Sequence, residues 1–139
     1  MRRRRWLGAA LAALLGACAA ATEVEVGESV VVELDAFSGL PNPTWTLRAA
    51  EVVELRRRLA DLPAAEGARL PEPALGYRGF ALVRTPTGSG RPERVYVAGG
   101  LVAVGEPGAQ ALYRDVRGVE GWLRERARAA GHGDVLPDR

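Results

Sequence analysis

Val30, Val32, Leu34 and Ala36 alternate with Val31, Glu33, Asp35 and Phe37. A period of two predicts a strand with one face buried, and Val24 and Val26 share the parity of the buried set. Further on the period lengthens. Ala49, Val52, Leu55, Leu59 and Leu62 recur at steps of three and four. That spacing predicts an amphipathic helix from Leu47 to about Leu62, N-capped by Thr46 and ended by Pro63. Glu54 and Arg58 on it are placed to pair across one turn. Tyr77 to Thr85 is strand-like, with Phe80, Leu82 and Val83 apolar. Arg94 to Val104 is the most β-rich stretch. It reads either as one strand bulged at Gly99-Gly100 or as two short strands with a Gly-Gly turn between them. Val119, Trp122, Leu123 and Ala127 form a second helical stripe, on a helix from Arg117 to Ala130 stopped by Gly131. Glu120 and Arg124 form its expected ion pair.

Between these elements the pattern is broken by turn residues. Pro41 and Pro43 remove two backbone donors, so Ser38 to Trp45 is expected to be a structured loop. Ala64 to Ala74 is read as a surface connection, and Pro86 to Pro92 as a flexible loop tip. The element order β-α-β-β-α predicts an α+β domain: a small, mainly antiparallel sheet with two helices packed on one face. The domain is expected over residues 30–131, preceded by a tether (18–29) and followed by a loose polar tail (132–139).

The first 17 residues follow another logic. Arg2 to Arg5 are positive, and Trp6 to Ala17 form an uncharged apolar run of 12 residues. A helix of that length spans about 18 Å, short of the roughly 30 Å hydrocarbon core. Positive, apolar and then small residues is the layout of an export signal. It ends in Leu15-Gly16-Ala17-Cys18, which resembles the lipobox of bacterial lipoprotein precursors. The resemblance implies cleavage before Cys18, a diacylglyceryl group on its thiol, and a membrane-anchored protein of the cell envelope. With Ala19 rather than Asp next, it also implies passage to the outer membrane where there are two membranes. The alternative is a free cysteine after an ordinary signal peptide. Arg3-Arg4-Arg5-Trp6-Leu7 also resembles a twin-arginine signal, but four consecutive arginines satisfy that pattern cheaply and general secretion is preferred.

Cleavage there changes the charge balance. Residues 18–139 carry 15 arginines, no lysine and 17 acids, a formal charge of −2 where the full chain has +2. No basic field remains to attract nucleic acid. Cys18 is the only cysteine and His132 the only histidine, so a zinc site or a Ser-His-Asp arrangement finds too few ligands. No cofactor or metal is expected. Glu33 and Asp35 share one face of the first strand; acids on an exposed strand face read as solvation, with acid–base work by the pair as the alternative. Arg56-Arg57-Arg58 fans over the outer side of the first helix. It reads as a solvated face, with contact to anionic lipid as the alternative.

The densest concentration of unusual residues is Phe37 to Trp45, FSGLPNPTW. It resembles a segment of small uncharacterised bacterial secreted proteins, and Tyr77-Arg78-Gly79-Phe80 belongs to the same resemblance, which implies no activity. Two readings follow. The preferred one is structural: a stiff bridge between strand and helix, with Trp45 packed under the first helix. In the other, Asn42, Trp45, Tyr77 and Arg78 form a recognition surface, since Trp, Tyr and Arg dominate binding hot spots and rigid loops lose little entropy on binding. The expected function is thus a lipid-anchored binding or accessory module that contacts an envelope protein or polymer. The alternatives are a carboxylate hydrolase of envelope polymer, or a hydrolase inhibitor presenting the Pro41–Pro43 loop or the Gly88–Gly90 tip.

Overall fold

A computed structural model describes residues 27–138. The export signal, Cys18 and most of the expected tether lie outside the described residues.

The alternation at Val30, Val32 and Leu34 produces strand β1 (Glu28–Asp35), with these three side chains fully buried on one face. It is followed by β2 (Thr44–Thr46), helix α1 (Ala49–Leu59), β3 (Gly79–Pro86), β4 (Glu93–Ala98), β5 (Leu101–Val104), β6 (Ala111–Arg114) and helix α2 (Val119–Ala129). The strands form one sheet in the order β2-β1-β3-β4-β5-β6, antiparallel throughout. The class is α+β, as the pattern predicts, but the order β-α-β-β-α undercounts the sheet, which has six strands. β2 and β6, of three and four residues, are too short for a period of two to register. The Gly99-Gly100 question resolves to two strands: both glycines have positive φ, 59° and 77°, the conformation that a tight two-residue hairpin turn requires.

Register divides the sheet into two faces. Val32 pairs with Leu82, Leu82 with Val95, Phe80 with Val97 and Val97 with Val102. These side chains meet Val52 and Leu55 of α1 and Val119, Leu123 and Ala127 of α2 in a single core cluster. Both helices therefore cover the same face. Each fully buried Leu or Val contributes roughly 1.5–3 kcal/mol through apolar burial, so this layer supplies most of the driving force.

The helices are shorter than the periodicity suggests. α1 starts at Ala49, not Leu47: Thr46 is taken up by β2, and the cap position is Arg48, whose N–H donates to Glu51 Oε2 at 2.9 Å. α2 is fixed by Asp115, whose carboxylate accepts from Val119 N–H and Glu120 N–H at 2.7 and 2.8 Å. Both expected helical ion pairs form, Glu54 with Arg58 at 2.6 Å and Glu120 with Arg124 at 3.1 Å.

Three segments read as irregular take on definite roles. Glu28 and Ser29, assigned to the tether, begin β1, and buried Glu28 binds Arg56 and Arg84. The connection after α1 runs along the open edge of β6, where Ala65 N–H donates to Leu112 C=O and Arg114 N–H to Pro63 C=O, each at 2.9 Å. It then crosses the second face of the sheet, where Ala98, Leu101 and Ala103 are buried although they point away from the helices. The tail is not loose: residues 133–135 form a 3₁₀ turn and Leu136 is buried in the core cluster. The sequence pattern missed it because one apolar anchor among polar residues has no period. Leu136→Ala is expected to lower stability by about 2–4 kcal/mol in urea unfolding; an unchanged midpoint would mean the tail does not dock.

Candidate functional site

The face of the sheet turned away from the helices carries the chemistry. There β1 presents Val31, Glu33 and Asp35, opposite Val83, Ala81 and Gly79 of β3, and β4 sets Tyr96 next to Ala81. Asp35 is the hub. Arg78 donates to its Oδ1 through both Nε and Nη2, and Tyr96 Oη donates to Oδ2 at 2.9 Å. Arg78 also reaches Ser38 Oγ at 3.0 Å and Phe37 C=O at 2.9 Å. Asn42 closes the ring. Its Oδ1 accepts from the N–H groups of Ala36 and Phe37, and its Nδ2 donates to Glu33 Oε1 at 2.8 Å. An amide in this position ends β1 and folds the proline loop back along it, with Leu34 N–H donating to Pro43 C=O at 2.9 Å.

Electrostatics follow the geometry. The Arg78 guanidinium holds the Asp35 carboxyl below its ordinary range; partial burial opposes this and Tyr96 reinforces it. Burial pushes the Tyr96 phenol up, and the bond to Asp35 adds to it. Asp35 is therefore ionised with both oxygens hydrogen-bonded, and Tyr96 is a neutral donor.

Gly79 is required at this junction. Its φ is 145°, and a Cβ there would lie 2.5 Å from Val97 O and 2.8 Å from Ala98 Cβ. Above the junction, Leu70, Pro71, Glu72 and Pro73 of the crossing segment wall a hollow of about 380 Å³ whose floor is Asp35, Arg78 and Tyr96. A second hollow of about 110 Å³ runs on over Ala81, Val83 and Arg94, and both are lined by Tyr96, Pro107 and Gln110. Together they form a trough open to solvent. A separate hollow of about 300 Å³ lies by Leu59, Leu62, Arg84 and Tyr113, where Arg84 is already held by Glu28 and Glu93.

The four candidate surface residues do not share one surface. Asn42 and Arg78 meet in the Asp35 network. Trp45 pairs with Val32 and so faces the helix layer, its ring 6.4 Å from Phe80 and 5.6 Å from His132. Tyr77 faces that layer too, donating to Glu120 Oε1 at 2.6 Å with Arg124 stacked 4.8 Å above its ring. Trp45 thus packs as the structural reading expects, but against Phe80 and the returning tail. Tyr96 and Gln110 were missed. Tyr96 had one signal, an aromatic at the polar parity of RVYVA; Gln110 had none.

Glu33 and Asp35 share a face as read, but the second is locked in an ion pair. The arginine triplet is engaged: Arg56 by Glu28, and Arg57 and Arg58 by Glu54, whose carboxyl Arg57 and Arg58 lower to about 2 against the pull of desolvation. Among the described residues no cluster of three or more His, Cys, Asp or Glu is placed to hold a metal ion, and no helix is long and apolar enough to cross a membrane. No protein-family model, curated protein or solved structure matches the chain.

A carboxyl whose pKa is lower in the folded chain contributes stability above its unfolded value, about 3.9, and loses it as pH falls through the folded value. Wild type should therefore exceed Asp35→Asn in stability by about 1–3 kcal/mol at pH 7. The gap should close below about pH 4, read from urea midpoints; a gap independent of pH would refute the ion pair.

Proposed function

We propose that the protein is a lipid-anchored envelope protein whose single α+β domain works as a binding or accessory module, with the trough on the open face of the sheet as its contact surface. The anchor rests on Leu15-Gly16-Ala17-Cys18 at the end of the apolar run. Two or three acyl chains at about 0.8 kcal/mol per buried CH₂ make such an anchor lasting.

The observation that carries the binding reading is the division of labour between the faces. One face is consumed by packing against both helices. The other bears a preformed concave surface with a few convergent polar groups held in place by Asp35 and Asn42. Concave, mostly apolar and pre-formed surfaces with a few fixed polar groups are the usual form of a ligand site. Acid–base catalysis is less well supported, because both oxygens of Asp35 are engaged by Arg78 and Tyr96 and its pKa is moved away from neutrality. Nor does the Pro41–Pro43 loop suit an inhibitor's inserted finger, since Asn42 and Pro43 are bonded down onto β1.

One cellular experiment addresses both halves. Cells fed an alkyne fatty acid should label the wild-type protein and retain it in membranes, whereas Cys18→Ser should take no label and keep its leader uncleaved. A photo-crosslinking residue at Arg94, beside the trough, should trap an envelope component that the same group at Arg128, on α2, does not. Acylation of Cys18→Ser would refute the anchor, and equal trapping from both positions would refute the surface.

A further inference from the structure

We infer that the trough takes a neutral, linear glycan, with adjacent sugar rings lying over the two hollows; this rests on the reading of the open face as the binding surface. Four features converge on that ligand class. The first is shape: the hollows of about 380 and 110 Å³ adjoin, sharing Tyr96, Pro107 and Gln110, so the combined surface suits a chain rather than a compact molecule.

The second is the saturation of the backbone. The floor belongs to β1, β3 and β4, interior strands with a partner on each side. The wall contains Pro71 and Pro73, which have no N–H. An extended peptide would find no row of main-chain groups to pair with, and strand addition is the usual source of affinity for such a ligand.

The third is charge. Arg78 is the only arginine on the floor of the larger hollow, and its charge is matched by Asp35. Under the smaller hollow Arg94 is paired with Glu106 at 3.4 Å, so among the described residues each arginine lining the trough has a carboxylate partner.

The fourth is the alternation of apolar and polar groups. Pro71, Pro73, Pro107, Ala81 and the ring of Tyr96 give smooth surfaces for the C–H faces of pyranose rings. Between them Gln110 offers both an amide donor and an acceptor, and Glu72 a carboxylate acceptor, for ring hydroxyls. Tyr96 is fixed by its bond to Asp35, so its ring loses no rotamer freedom on binding.

The test is titration of the full-length mature protein in detergent with neutral tetrasaccharides (the cello-, malto- and N-acetylglucosamine tetramers) and, in parallel, with a neutral proline-rich peptide. At least one glycan is expected to bind saturably. Gln110→Ala should weaken it about three- to tenfold, the worth of a hydrogen bond. Ala81→Phe should abolish it by filling the floor, and Arg128→Ala should leave it unchanged. Ala81 and Gln110 lie outside the helix-side core, and unfolding midpoints check that the variants remain folded. Failure of all three glycans, equal binding by the trough variants, or saturable binding of the peptide alone would each overturn the inference. None of these results touches the anchor, which the acyl label on Cys18 decides separately.

Discussion

Four parts of the chain are tied together at the carboxylate of Asp35. Asp35 ends β1, Arg78 leads into β3, Tyr96 belongs to β4, and Asn42 sits in the proline loop. Hydrophobic burial has no direction and cannot by itself decide how the loop after β1 turns or where β3 begins. Charge-assisted bonds from a forked guanidinium do have direction. The Asp35–Arg78 pair fixes Arg78 against the loop carbonyl of Phe37, and the Arg78 N–H donates to Asp35 C=O at 2.7 Å, so side chain and backbone enforce the same register.

The rest of the fold follows from giving the two faces of the sheet different work. The helix face is dry, and nearly every apolar position with a clean period points into it. The open face is covered only over β4 to β6, by the crossing segment that buries Ala98, Leu101 and Ala103. Where that cover stops, the trough begins, with Tyr96 at the boundary. The site is therefore a product of topology: a chain that left α1 and entered β3 directly would leave a flat sheet with no wall.

Much of the scaffold was legible in the sequence because its causes are local. The alternation of β1, both helical stripes, the i,i+4 pairs and a turn at Gly99-Gly100 all follow from neighbours within a few residues. What was not legible depends on partners far along the chain. β2 and β6 exist because longer strands offer them an edge. Leu136 is buried because α2 returns it to the core, and the connection after Pro63 is ordered by Leu112 C=O. The site divides the same way. Asp35, Asn42 and Arg78 each drew notice as residue types, but the contact between Asp35 and Tyr96 spans 61 positions and has no trace in spacing. Trp45 and Tyr77 drew notice for the same chemical reasons and serve the core instead, since amphipathic aromatics suit a half-buried packing site as well as a surface.

If the Asp35–Arg78 pair organises this face, the two residues must act as one unit. The most direct test is a double-mutant cycle: urea unfolding of wild type, Asp35→Asn, Arg78→Met and the double variant at neutral pH and moderate salt. The account predicts a coupling energy of about 1–3 kcal/mol, with the double variant less destabilised than the sum of the singles. Additive effects within about 0.5 kcal/mol would show that the pair is an incidental surface contact, and the preformed trough would lose its physical basis.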